Sequence, residues 1–188
     1  MLDVRLDGID LQFKTSPCVF SPRQVDRGTL AMLSQVECGA DEKALDLGCG
    51  YGVVGIFLAK KIGEDKVVMT DIDEQAVCLA KENALINNVS GIRIYQSNGF
   101  SNLDETGFTL ILSNPPYHSD FSVPKHFIEK GFNRLVLGGR MVMVTKRKEW
   151  YKNKFISIFG GVKIKEVDNY YVFTAEKRRM DYADHRRR

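Results

Sequence analysis

Leu45-Asp46-Leu47-Gly48-Cys49-Gly50-Tyr51-Gly52 is the stretch on which the reading of this chain turns. The apolar run Ala44–Leu47 ends in closely spaced glycines, and the amphipathic segment Val53–Lys61 follows, so a strand passes through a tight turn into a helix. Glycine reaches positive φ and lets the backbone approach a ligand without a Cβ in the way. A dinucleotide site asks for G-x-G-x-x-G/A, but here Val53 takes the third position and the spacing is G-x-G-x-G. No pyrophosphate fingerprint is present. Asp46, two residues before the first glycine, suits instead a ligand whose amino-acid end is cationic.

Outward from this loop the chain alternates. Strands are expected at Val67–Thr70, Ile92–Tyr95, Phe108–Leu112 and Met141–Thr145. Helices are expected at Glu74–Asn87, Pro124–Leu135 and Glu149–Phe159. Val162–Val167 and Tyr170–Ala175 form a closing antiparallel hairpin across Asp168-Asn169. Before the loop, Val4–Thr15 reads as a short hairpin around Asp7-Gly8, and Val25–Val36 carries a helical pattern. The expected fold is α/β: a doubly wound, mostly parallel, seven-stranded Rossmann-like sheet with a C-terminal antiparallel hairpin and a short N-terminal β-hairpin. Ligands then belong at the carboxyl ends of the strands.

At those ends stand further candidates. Asp71 closes the second strand, where a carboxylate can accept hydrogen bonds from a ribose diol, while Asp73 is placed to cap the following helix. Ile72 offers an apolar surface to an adenine ring. Asn98, after the third strand, is either a contact for an adenine amino group or a plain turn residue. The fourth strand runs into Ser113-Asn114-Pro115-Pro116-Tyr117-His118. Two prolines hold the backbone extended and donate no N–H, which leaves nearby carbonyls for a substrate. A conjugated amino nitrogen is a poor nucleophile. Hydrogen bonds from its N–H groups to the Asn114 side-chain oxygen and the Pro115 carbonyl favour pyramidal geometry and offset developing positive charge. Tyr117 can stack on a flat group. His118 is either a substrate contact or a loop histidine.

The glycine loop, the acidic strand tip and the turn after the third strand resemble those of the class I S-adenosylmethionine (SAM)-dependent methyltransferases. The resemblance covers nearly the whole chain. It implies SAM as cofactor, held by Asp46, Gly48, Gly50, Gly52, Asp71, Ile72, Asn98 and Asn114. Asn114-Pro115-Pro116-Tyr117 resembles the N-P-P-[YF] motif of amino-group methyltransferases, implying catalytic roles for Asn114, Pro115 and Tyr117. With Phe13–Ser21 and Asp26–Thr29, it resembles the small methyltransferase domain of ribosomal RNA guanine-N2 methyltransferases. Phe20, Pro116, Tyr117 and His118 would then border the substrate, and ribosomal RNA or a ribosomal subunit would be the partner. Members of that family commonly carry a second, degenerate N-terminal copy; these residues hold one. Three other readings stand behind this one: a protein glutamine N5-methyltransferase, a DNA adenine-N6 methyltransferase, and a non-catalytic SAM-fold RNA-binding module.

Bulk properties fit one domain over 1–176, with 1–36 covering the site, and a basic tail at 177–188 expected to be disordered. The 188 residues suffice to bury roughly 70% of the unfolded surface. Lys125–Lys154 holds nine Lys/Arg against Glu129 and Glu149, and the tail from Lys177 carries +4, so residues 1–176 sum to −1 of the total +3. Such segregation suits either a polyanionic partner or a solvated surface. The four cysteines form no C-x-x-C pair and the three histidines no ligand-spaced cluster, so free thiols and no metal are expected. No basic and apolar leader opens the chain, and no run approaches the ~20 apolar residues of a membrane span. A cytoplasmic protein is expected.

Overall fold

The computed structural model describes residues 1–17, 21–116 and 120–183. It opens with a hairpin, β1 (Leu2–Leu6) and β2 (Ile9–Phe13), turned by Asp7 at φ 47° and Gly8 at φ 79°. Positive φ at both turn positions is what a two-residue loop needs to match strand twist. Then come α1 (Arg27–Leu33), β3 (Ala44–Leu47), α2 (Val53–Ile62), β4 (Val67–Asp71), α3 (Glu74–Ile86), β5 (Arg93–Gln96), β6 (Phe108–Ser113), α4 (Ser122–Arg134), β7 (Leu135–Thr145), α5 (Lys148–Phe159), β8 (Lys163–Val167) and β9 (Tyr170–Glu176). The large sheet has the order β5-β4-β3-β6-β7-β9-β8. Its first five strands are parallel neighbours, and β9 pairs antiparallel with both β7 and β8. This is the expected fold.

Two hydrophobic layers sandwich the sheet. Met32 of α1, Ile56 of α2 and Ala80 of α3 pack on one face with Leu11 and Phe13 of the hairpin. Phe127 of α4 and Phe155 of α5 pack on the other with Leu45 and Leu47. A central strand covered on both faces must be apolar throughout, and β3 is buried at every position. Asp46 is the exception within it, and it sits where the site forms.

Three expectations are corrected. The helical pattern at Val25–Val36 yields only Arg27–Leu33: Asp26 caps its start, and Val25 is buried from a loop. Apolar spacing there records burial rather than helix. β7 begins at Leu135 rather than Met141, carrying Gly138 and Gly139 within it; the register jumps from Phe108↔Leu135 to Leu110↔Arg140, and Lys177 closes the irregular stretch by bonding to both glycines. The tail expected to be disordered from Lys177 is anchored to the body at Lys177 and Tyr182, with Arg178, Met180 and Asp181 exposed between them. Lys177 Nζ donates to the Leu135 carbonyl at 2.8 Å, and the Tyr182 hydroxyl to that of Glu129 at 2.9 Å. Residues 184–188 lie outside the described residues.

Candidate active site

The cleft opens at the carboxyl ends of β3, β4 and β6. The Gly48 and Cys49 N–H groups both donate to the Thr70 carbonyl, at 2.8 and 2.9 Å, which fastens the loop after β3 to the tip of β4. Gly48 at φ 77° and Gly50 at φ 55° adopt the left-handed turn that a side chain would strain. Ser113 Oγ donates to the Leu47 carbonyl at 2.7 Å, tying the end of β6 to the same corner. The three strand tips therefore form one rigid frame.

Around it lies a cavity of about 310 Å³. Asp46, Gly48, Gly50, Asp71, Ile72 and Asn98 line one part of it; Asn114, Pro115 and Pro116 line another. Gly52 does not reach it: at φ 100° it is the N-cap of α2. Phe20, Tyr117 and His118, also expected here, lie outside the described residues. Among the described residues no cluster of His, Cys, Asp and Glu is arranged to hold a metal ion.

Asp46 is 3% exposed, and its Oδ2 accepts the Gly55 N–H at 2.8 Å. Burial pushes its carboxyl up to about 7; the Gly55 hydrogen bond opposes this and the charge of Asp71 adds to it. A buried carboxylate is costly to ionise without a cation beside it. Asp71 Oδ2 accepts the Gly50 N–H at 2.7 Å and Oδ1 the Asp73 N–H at 3.0 Å. One lone pair on each oxygen is still available. Asp73 caps α3 as expected, accepting the Gln75 N–H at 2.9 Å. Ile72 is 63% exposed, its side chain at the cavity mouth. The Thr70 hydroxyl is fully buried and has no hydrogen-bond partner among the described residues. Cys49 is held as a neutral thiol, burial and then the charges of Asp46 and Asp71 raising its pKa well above the ordinary value.

Asn114 shows a contact its sequence neighbours did not announce. Its Nδ2 donates to Asp26 Oδ1 at 2.7 Å and to Thr29 Oγ1 at 3.0 Å. A carboxylate only accepts, so the atom facing Asp26 must be the amide nitrogen, and both its hydrogens are used. The amide oxygen is left as an acceptor with no partner among the described residues. Asp26 Oδ1 also accepts the Thr29 N–H at 3.0 Å, so one carboxylate caps α1 and sets the amide. The sequence singled out Asp26–Thr29 as part of the resemblance but gave no sign of this bond, which joins positions 88 apart. Val123 and Phe127, the apolar wall from α4, were likewise not foreseen.

A seven-stranded sheet of this order, with a glycine loop at β3 and an Asn-Pro-Pro turn at β6 sharing one cleft, defines a Rossmann-like methyltransferase fold. The chain belongs to the methyltransferase small domain family, whose model matches residues 10–174. It is 34% identical over 179 residues to the uncharacterized protein YbxB of Bacillus subtilis, covering 92% of this chain and 89% of that one. It is 36% identical over 152 residues to the ribosomal RNA small subunit methyltransferase C of Mannheimia succiniciproducens, covering 79% of this chain but 45% of that protein. Among solved structures, the T. thermophilus 16S rRNA N2 G1207 methyltransferase RsmC, in complex with AdoMet and guanosine, superposes with a TM-score of 0.84 at 28% identity, covering 94% of this chain and 50% of that one. The chain thus spans about half the length of these ribosomal RNA methyltransferases and most of the length of YbxB.

Proposed function

We propose that this protein is a SAM-dependent N-methyltransferase that modifies the exocyclic N2 of guanine in ribosomal RNA. The observation that carries the reading is the orientation of Asn114. With its amide nitrogen committed to Asp26 and Thr29, its oxygen is an acceptor held at the cleft beside the Pro115 carbonyl. Two fixed acceptors suit the two hydrogens of a planar amino group. The relatives named for ribosomal RNA methylation support the choice of substrate.

The residues present fit SAM. Asp46, buried with no cation beside it among the described residues, is matched to the ammonium of a methionine end. Asp71 keeps a lone pair on each oxygen for a ribose diol, and Ile72 and Asn98 border the place for adenine. SAM supplies an activated methyl group when bound. The protein's own work is positional: Asn114 and Pro115 hold the amino nitrogen with its lone pair forward and take up positive charge as it develops, while Val123 and Phe127 give the cleft an apolar wall. No strongly basic residue is required, because the attacking nitrogen becomes acidic as it is alkylated and passes its proton to water. Tyr117 and His118 complete the motif as candidate substrate contacts. A cytoplasmic location follows from the substrate.

The test is incubation of the purified protein with labelled SAM and ribosomal RNA lacking the modification, followed by mapping of the labelled base. Label at guanine N2, lost with Asn114→Ala while SAM affinity changes little, is expected. Label on protein, or full transfer by the Asn114 variant, would overturn the reading.

A further inference from the structure

Where β7 runs out at Thr145, three cations follow in succession, each seated over an aromatic ring. Lys146 Nζ lies 4.9 Å from the ring centre of Tyr170, Arg147 Cζ 5.0 Å from that of Phe121, and Lys148 Nζ 5.1 Å from that of Tyr171. Phe121 in turn stacks on Trp150, centroids 4.4 Å apart and planes 12° apart. All three cations are exposed. The only acid in the run 146–152 is Glu149.

This cluster adjoins the cleft. Ser113 pairs with Met143 across β6 and β7, so Asn114 lies beside Val144 and the cations begin two residues beyond. Strand spacing of about 4.8 Å and a rise of about 3.3 Å per residue put the Lys146 and Asn114 Cα atoms roughly 8 Å apart. Phe121 stands two residues before Val123 of the cleft wall. Exposed Arg23 and Arg27 stand next to Val25 and Asp26 of the cleft lining, on the segment whose Gly28 packs against the Tyr170 ring.

We propose that Lys146, Arg147 and Lys148, with the Phe121–Trp150 stack, form the platform that grips the single-stranded RNA segment flanking the target guanine. The inference rests on the RNA reading given above. A guanine can reach Asn114 only if turned out of its stack, and its neighbours must then cross the strand tips. A splayed strand presents phosphates and bare base faces together, and cations interleaved with aromatic rings answer both. Seating each long cationic side chain on a ring also orders it before binding, which lowers the entropy lost when phosphate is engaged.

The test uses the full chain and unmodified small-subunit ribosomal RNA, with affinity measured from low to high salt. Each phosphate contact to a single strand adds about 0.7 to the slope of log K against log salt. Lys146→Gln/Arg147→Gln/Lys148→Gln should lower that slope by about 2 and leave the SAM dissociation constant within about twofold. The single exposed change Lys148→Gln should lower it by about 0.7, which keeps the test decisive if the triple variant folds poorly. A steep wild-type slope left unchanged by these substitutions would overturn the platform while leaving RNA methylation standing. A wild-type protein that methylates a ribosomal protein and binds this RNA with no salt dependence would overturn the RNA reading itself.

Discussion

Asp26 and Asn114 act as one unit in this geometry, and that can be measured. Asp26→Asn keeps a good helix cap and nearly the same shape, but an amide can present either end to its neighbour. The Asn114 amide is then free to flip, and kcat should fall about 10- to 100-fold with the SAM dissociation constant little changed. Asn114→Ala should cost more, of order 10³-fold, as for a lost transition-state acceptor. If Asp26 acts only through Asn114, adding Asp26→Asn to Asn114→Ala should change kcat by less than twofold, since residues that work as a unit are not additive. Multiplying losses would show that Asp26 does something else. Residues of this kind separate what a sequence discloses from what it hides. Asp46 and Asn114 were legible because each stands at a strand's end near a glycine or proline signal, and Asp71 because it is the acid that closes the second strand. The partnership of Asp26 with Asn114 was not, because spacing along the chain says nothing about two loops meeting over a sheet.

At the scale of elements, the N-terminal hairpin is held by asparagines. Asn83 Oδ1 accepts the Lys14 N–H at 2.7 Å, and its Nδ2 donates to the carbonyls of Lys14 at 3.0 Å and Tyr51 at 2.9 Å. Asn87 treats Gln12 the same way, accepting its N–H at 3.0 Å and donating to its carbonyl at 2.7 Å. A side chain of α3 and that of its C-cap, Asn87, thus imitate a strand partner for the exit of β2. Asn83→Ala leaves one N–H and two carbonyls short of a partner in a buried place, at about 2–4 kcal/mol. Amide exchange should accelerate first in β2 and at Lys14, with β3 and β6 protected until global unfolding. Uniform acceleration across the sheet would contradict a local clasp. Gly28 marks a second contact between elements: an added Cβ would meet the Tyr170 ring at 2.9 Å, so Gly28→Ala must lift α1 from β9 and take Asp26 with it. Its expected signature is a fall in kcat resembling that of Asp26→Asn, together with lower stability. Apolar periodicity and turn chemistry revealed the strands, their order of appearance and both hairpin turns. They missed the first half of β7, because Gly138 and Gly139 carry turn signals that the bonds to Lys177 override.

For the molecule as a whole, the cleft is the seam between the two hydrophobic layers: Val53 and Val54 of α2 border it from one side, and Val123 and Phe127 of the α4 region from the other. A ligand there bridges both layers and should stabilise the entire domain. At 100 times its dissociation constant SAM contributes about 2.7 kcal/mol. At about 2–4 °C per kcal/mol for a domain of this size, the expected rise in Tm is roughly 5–10 °C. Asp46 makes that rise depend on pH. Its carboxyl is raised to about 7 in the ligand-free fold, above its value in the unfolded chain. The folded state therefore holds the proton more tightly, and the stability this gives is lost as pH rises from the ordinary carboxylate range through about 7. A bound ammonium reverses the sign by favouring the ionised form. The ligand-free Tm should decline across this window while the increment from SAM grows, reaching its full size near pH 8. Asp46→Asn can still accept the Gly55 N–H but never ionises. It should raise the ligand-free Tm at pH 8 by a few degrees and shrink the SAM increment to a small value nearly independent of pH. Thermal scans of both proteins at pH 5.5, 7 and 8, with and without SAM, separate the alternatives: an increment in the native protein that stays flat with pH would mean that Asp46 does not face the cation.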